Sequence, residues 1–239
     1  MNADFPNKPR SVNWLHASDR NVQLIEVAVL LFLIAPSMGL SFFLVNQVQL
    51  SFTTMAISSI LSDLALVSLV FYLIWRNGET RRQIGWNFKN AGREVIWGLL
   101  LFAPVSLTTT LLVNVLHAAG LSAPTNPPSF FFATGPFQVM LACLLVSVVA
   151  VSEETIFRGY LLLRFTAVTG RRSVAVLLSA TIFSLGHGYE GMAGLFTVFF
   201  LGVTLALVYL WRQSLIASVM MHFLIDFTSI LLRMPPPLG

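Results

Sequence analysis

The amino-acid sequence predicts an all-α, polytopic transmembrane helical bundle of about seven spans with its N-terminus in the cytoplasm. Three observations carry this expectation: the composition, the lengths of the apolar runs and the placement of Lys and Arg. Hydrophobic residues make up 56% of the 239-residue chain and charged residues 10%, against about 25% charged in an ordinary soluble domain. Apolar runs recur at about the 20 residues that a helix needs to cross a hydrocarbon core. The basic residues cluster in alternate loops.

Residues 1–23 read as a polar tail, with Lys8, Arg10, Arg20 and no long apolar run. The apolar run that follows is too long for a signal-peptide core and lacks a small-residue cleavage pattern, so it reads as a retained anchor near 24–48. Spans near 53–75 and 95–117 complete an N-terminal set of membrane helices, 24–134. The connection from Ala118 to Gly135 holds no charge and contains Pro124, Pro127 and Pro128, so it cannot be helical throughout. Its Phe130, Phe131 and Phe132 read as an interfacial anchor or hydrophobic lid. Spans near 136–165, 173–190, 192–211 and 214–233 form a membrane core, 135–233. The first of these is long enough to be tilted or to run past the membrane surface. No repeat or soluble domain interrupts the pattern, so the chain is expected to form one bundle. Its oligomeric state is not legible, because small residues such as Gly98, Gly194 and Gly202 serve internal packing and subunit contact equally well.

Orientation follows from the loops. Lys8, Arg10 and Arg20 precede the first span; Arg76, Arg81, Arg82, Lys89 and Arg93 lie between the second and third; Arg164, Arg171 and Arg172 lie between the fourth and fifth; and Arg212 follows the sixth. Only Arg233 falls on the other side, which places the basic loops in the cytoplasm. The net charge of +4 is therefore a topology signal. It forms no basic stripe of the kind that binds nucleic acid. The single cysteine, Cys143, rules out an internal disulfide.

Against this apolar background, Glu153, Glu154, Arg158, His187, His222 and Asp226 stand out. A charge at such depth costs about 2.5–3.5 kcal/mol even on a lenient insertion scale and marks a functional site by default. Counting from the cytoplasmic ends at 1.5 Å per residue, Glu153 lies roughly 16 Å deep, His187 roughly 21 Å, His222 roughly 12 Å and Asp226 roughly 18 Å. Residues from three helices thus meet near one level, as in a shared polar cavity. Glu154 and Arg158 are four apart with the acid first, the favourable order for an ion pair on one helix face. Glu153 projects about 100° away and lacks that partner, which suits it to act as a base. His222 and Asp226 are also four apart, so the carboxylate can orient the imidazole. Phe183 stands one turn before His187 and should pack beside it. Asp63, alone in the second span, carries no motif and reads as a hydrogen-bonding or cavity residue. His117 and Glu190 fall near outer span ends, and His16 lies in the tail.

A carboxylate, two histidines and a water suffice for peptide hydrolysis, with Glu153 activating the water and a histidine stabilising the oxyanion. Glu153, His187 and His222 are equally the ligand count of a catalytic zinc site, although the soluble H-E-x-x-H signature is absent. Both routes stay open on these residues alone.

Glu153-Glu154-Thr155-Ile156-Phe157-Arg158 fits E-E-x-x-x-R, Phe183 to His187 fits F-x-x-x-H, and His222 to Asp226 fits H-x-x-x-N/D. In this order and in successive late helices, the set resembles the CAAX prenyl protease and bacteriocin-processing (CPBP, or Abi) family of intramembrane endopeptidases, over about 135–232. The resemblance implies cleavage of a peptide bond in a membrane-associated or lipidated substrate. It implies Glu153 as general base, His187 as its partner on the water, and His222 with Asp226 on the oxyanion side. Glu154, Arg158 and Phe183 would act in support. It favours glutamate-dependent chemistry with no bound cofactor over zinc. The eukaryotic prenyl-protein branch carries Asn where this chain has Asp226, so the bacterial members are the closer match and a bacterial inner membrane is the expected location. Two other classes compete: a noncatalytic scaffold or immunity factor, which would keep the fold without the chemistry, and a proton-coupled carrier, which would ordinarily show repeated halves.

Overall fold

A computed structural model of the chain describes residues 17–43, 51–121 and 133–233. Lys8, Arg10, His16, the prolines at 124, 127 and 128 and the phenylalanines at 130–132 lie outside the described residues. Among those described there are seven long helices and no strand: α1 (Ala17–Ser41), α2 (Phe52–Arg76), α3 (Ala91–Ala118), α4 (Gly135–Thr169), α5 (Arg172–Leu185), α6 (Gly191–Arg212) and α7 (Leu215–Arg233). Five have the length and apolarity to cross a membrane, and α5 and α7 are shorter apolar helices. The chain is an integral membrane helical bundle.

Local chemistry sets the helix ends. Ser51 caps α2 by accepting from the Thr54 amide at 3.1 Å, satisfying one of the free donors of the first turn. Pro136 enters α4 at its first turn, where a missing amide hydrogen costs nothing. Gly170 ends α4 in the left-handed conformation, at φ 70°, which glycine adopts without strain.

Two boundaries differ from the sequence expectation. Helix α1 starts at Ala17, inside the stretch read as a polar tail, and the Arg20 guanidinium bonds the Val168 carbonyl near the end of α4 at 2.9 Å. Helix α5 stops at Leu185 rather than near 190, with Gly186 at its C-cap and a single 3₁₀ turn over Gly188–Glu190. Glycines at 186, 188 and 191 weaken helix continuation there. His187 therefore sits on a turn at the helix end.

The basic loops converge on one face of the bundle. Glu26 near the start of α1 accepts from Asn77 at the end of α2 and from Tyr160 in α4. Arg164 in α4 makes a two-pronged bond to Glu79 at 2.7 and 2.6 Å. Arg212 at the end of α6 does the same with Glu94 at the start of α3, at 2.9 Å twice. The Leu215 amide that opens α7 donates to the Gly85 carbonyl of the α2–α3 loop. Arg164 is 1% exposed, so this face is tied by buried paired charges, which are strongly destabilising to break singly.

The outward surface is apolar. Phe32, Trp75, Leu111 and Phe137 are all exposed, as expected where lipid rather than water is the neighbour. The principal buried core joins Leu30 and Ile34 of α1, Val70 and Leu73 of α2, Ile84, Ile156 to Leu162 of α4, Phe183 of α5 and Val198 and Ala206 of α6. Ile84 comes from the loop, not from a span.

Candidate active site

The site begins with a change of helical pitch. From Glu154 to Leu161, helix α4 is π-helical, with the Leu162 amide bonded to the Phe157 carbonyl five residues back. A π-helical stretch inserts a residue into the α ladder and turns side chains away from their α-helical bearings, and such stretches are common at functional sites. Neighbouring elements support it. Ser179 Oγ of α5 donates to the Phe157 carbonyl at 2.7 Å, and Trp86 Nε1 of the α2–α3 loop donates to Thr155 Oγ1 at 3.1 Å. At Gly159 the Ile84 backbone comes so close that an added Cβ would lie 2.8 Å from its carbonyl oxygen.

This geometry gives the two adjacent glutamates different surroundings. Glu154 is fully buried, with Oε1 2.8 Å from Arg158 Nη1 and 3.0 Å from His222 Nδ1. Glu153 remains 22% exposed, with Oε2 3.5 Å from His222 Nε2. Asp226, 31% exposed, approaches the same nitrogen to 3.4 Å. A carboxylate accepts, so Nδ1 of His222 carries the hydrogen shared with Glu154. Its Nε2 points into the gap between Glu153 and Asp226.

Phe183 is the apolar centre of the cluster. The Arg158 guanidinium lies over its ring at 4.1 Å, Phe157 meets it edge-on at 5.2 Å, and the rings of His187 and His222 lie 5.0 and 5.9 Å away. The face of the ring attracts the cation, so Arg158 is held by a carboxylate on one side and an aromatic on the other. His187 Nδ1 lies 3.1 Å from the Phe183 carbonyl, which makes that nitrogen the natural donor and leaves Nε2 for solvent or substrate. Just beyond, the Gly188 amide donates to Ser41 Oγ of α1.

The structure thus gathers Glu153, Glu154, Arg158, Phe183, His187, His222 and Asp226 about one locus. It redistributes the contacts expected from spacing alone. The histidine in contact with Glu153 is His222, Glu154 serves both Arg158 and His222, and the group fixing the His222 tautomer is Glu154 rather than Asp226. Spacing along one helix cannot reveal contacts between α4 and α7, nor a π-helical turn. Asp63 of α2 is half-buried and lies within electrostatic range of Glu153 and His222. It belongs to the site region, and its only sequence signal was an acid in an apolar span. Among the described residues, no three His, Cys, Asp or Glu side chains are grouped so as to hold one metal ion.

Residues 135–228 match the family model for type II CAAX prenyl endopeptidases, Rce1-like. Over that segment, which is less than half of the chain, the protein is similar to the CAAX protease family. The match spans α4 to most of α7 and includes every motif residue of the site, while Asp63 on α2 lies outside it. Neither the curated proteins nor the solved structures gave a match to the chain. The matching model describes endopeptidases, so proteolysis is the activity that the similarity suggests.

Proposed function

We propose that the chain is an intramembrane endopeptidase that hydrolyses a peptide bond of a membrane-associated or lipidated protein, using water activated by Glu153. The observation that carries this reading is the division of labour around His222. Its Nδ1 is anchored by the buried Glu154–Arg158 pair, while its Nε2 faces two partly exposed carboxylates. One side of the ring is fixed by a buried pair, and the other meets carboxylates that are partly open to solvent.

In this proposal a water beside Glu153 attacks the scissile carbonyl carbon and gives its proton to the Glu153 carboxylate. The carbonyl oxygen takes up the negative charge and is met by the Nε2–H of His222, while His187, whose Nδ1–H is turned to the Phe183 carbonyl, offers Nε2 as an acceptor to the attacking water. When the carbon–nitrogen bond breaks, the proton held on Glu153 passes to the departing amine. One carboxylic acid and one amine then account for the water consumed, and the Glu153 carboxylate is regenerated. Asp226 keeps the outer side of His222 polar and favours a proton on Nε2 during oxyanion formation. Glu154, Arg158 and Phe183 position the ring without touching substrate.

The test is cleavage of a panel of prenylated and unprenylated peptides by the detergent-purified protein, with and without chelator. Cleavage that persists in chelator supports glutamate-activated water. Loss in chelator with rescue by zinc overturns it in favour of a metal mechanism. Absence of cleavage across peptides that differ in sequence and lipid favours the noncatalytic scaffold.

A further inference from the structure

The α2–α3 loop carries a recess that the peptidase reading does not use. It has a volume of about 350 Å³ and is lined by Arg81, Arg82, Trp86, Asn87, Phe88 and Lys89. Arg81, Arg82, Phe88 and Lys89 are exposed. The Trp86 and Phe88 rings stack at 5.7 Å and 17°, and Arg81 lies over Phe88 at 5.7 Å. Two aromatic rings and three cations therefore share one small concavity.

Charge pairing on this face leaves several cations, those of the recess among them, without a carboxylate. Arg76, Arg93, Arg164 and Arg212 each meet a carboxylate: Glu26, Glu94, Glu79 and Glu94 respectively. Among the described residues, Arg81, Arg82 and Lys89 meet none. Three uncompensated cations held together repel one another, and a ligand bearing negative charge would relieve that repulsion. The loop leaves the end of a span, at the depth where lipid headgroups lie, and aromatic rings prefer that level.

We propose that this recess binds the phosphate-bearing headgroup of an anionic phospholipid. Arg81, Arg82 and Lys89 contact the phosphate and its neighbours, while Phe88 and the apolar part of Trp86 rest on the upper acyl chains. The consequence reaches the site, because Trp86 also donates to Thr155, the residue after Glu154, and Gly85 accepts from the first amide of α7. A lipid held here fastens the loop that braces both helices bearing the site's carboxylates.

The experiment is native mass spectrometry of the full-length protein, released from detergent with added phosphatidylglycerol or phosphatidylcholine. It compares wild type with a triple variant, Arg81→Gln with Arg82→Gln and Lys89→Gln, and with Arg93→Gln as a control. Wild type and the control should retain phosphatidylglycerol in preference to phosphatidylcholine, and the triple variant should retain about tenfold less or lower still. Equal retention by the triple variant, or no headgroup preference in wild type, overturns the proposal. Displacement by millimolar inorganic phosphate as complete as that by excess phosphatidylglycerol identifies a free-phosphate site and overturns the lipid assignment. Displacement by an acidic peptide but not by phosphatidylglycerol overturns it in favour of substrate contact.

Discussion

At the scale of single residues, the adjacent acids Glu153 and Glu154 illustrate how burial assigns roles. Glu154 is enclosed and shared between Arg158 and His222, so it is a fixed negative charge. Glu153, one residue earlier, keeps solvent access and makes only a long contact with His222. Removing one partner of a buried pair leaves the other uncompensated, at a cost of about 3–5 kcal/mol. Glu154→Ala and Arg158→Ala should therefore lower the unfolding midpoint in detergent and lose activity together. Phe183→Ala should also destabilise, by about 3–5 kcal/mol for truncating a buried aromatic, because four side chains lean on that ring. Denaturant titration followed by circular dichroism checks all three. Asp63→Asn replaces an acid that lies within electrostatic range of Glu153 and His222. It should change the cleavage rate while leaving the unfolding midpoint near wild type.

At the scale of elements, the π-helical turn of α4 and the α2–α3 loop form one unit. Gly159 lets the Ile84 backbone press against the turn, and Trp86 bonds Thr155 within it. Gly159→Val should cost about 1–3 kcal/mol by overpacking, whereas Trp86→Phe should cost about 1 kcal/mol by losing one hydrogen bond. Both are measurable by thermal denaturation. Much of this level was legible in part. The motif spacing marked the Glu154–Arg158 pair and the neighbour relation of Phe183 and His187, since each lies within one helix or its end. The contact of His222 with both glutamates was not legible, because it depends on how α7 packs against α4. The glycines flanking His187 were visible as a turn signal, yet helix periodicity was carried past them to 190.

At the scale of the whole molecule, apolar length and the alternation of basic loops were enough to place seven helices and to put their basic ends on one face. That inference works because lipid forces each span to satisfy its own backbone. What composition could not show is that several of the cations near the membrane surface are spent on internal pairs. Glu26, Glu79 and Glu94 neutralise Arg76, Arg164 and Arg212, so the charges that signal topology also close the bundle. Glu79→Ala should lower the thermal midpoint through loss of the Arg164 partner, by an amount corresponding to about 3–5 kcal/mol. The matched segment begins at α4, yet α1, α2 and the α2–α3 loop brace it, so residues 135–228 alone should not fold to an active state. Expression of that segment, assayed by unfolding and cleavage, checks this.

The central claim is that Glu153 activates the water. It is tested most directly by the initial rate of peptide cleavage for Glu153→Gln beside wild type, with folding verified by an unchanged unfolding midpoint. The account predicts a fall of about 10²–10⁴ in rate with the fold intact, since Glu153 is partly exposed and outside the buried Arg158 pair. A folded Glu153→Gln protein that cleaves at the wild-type rate would contradict it.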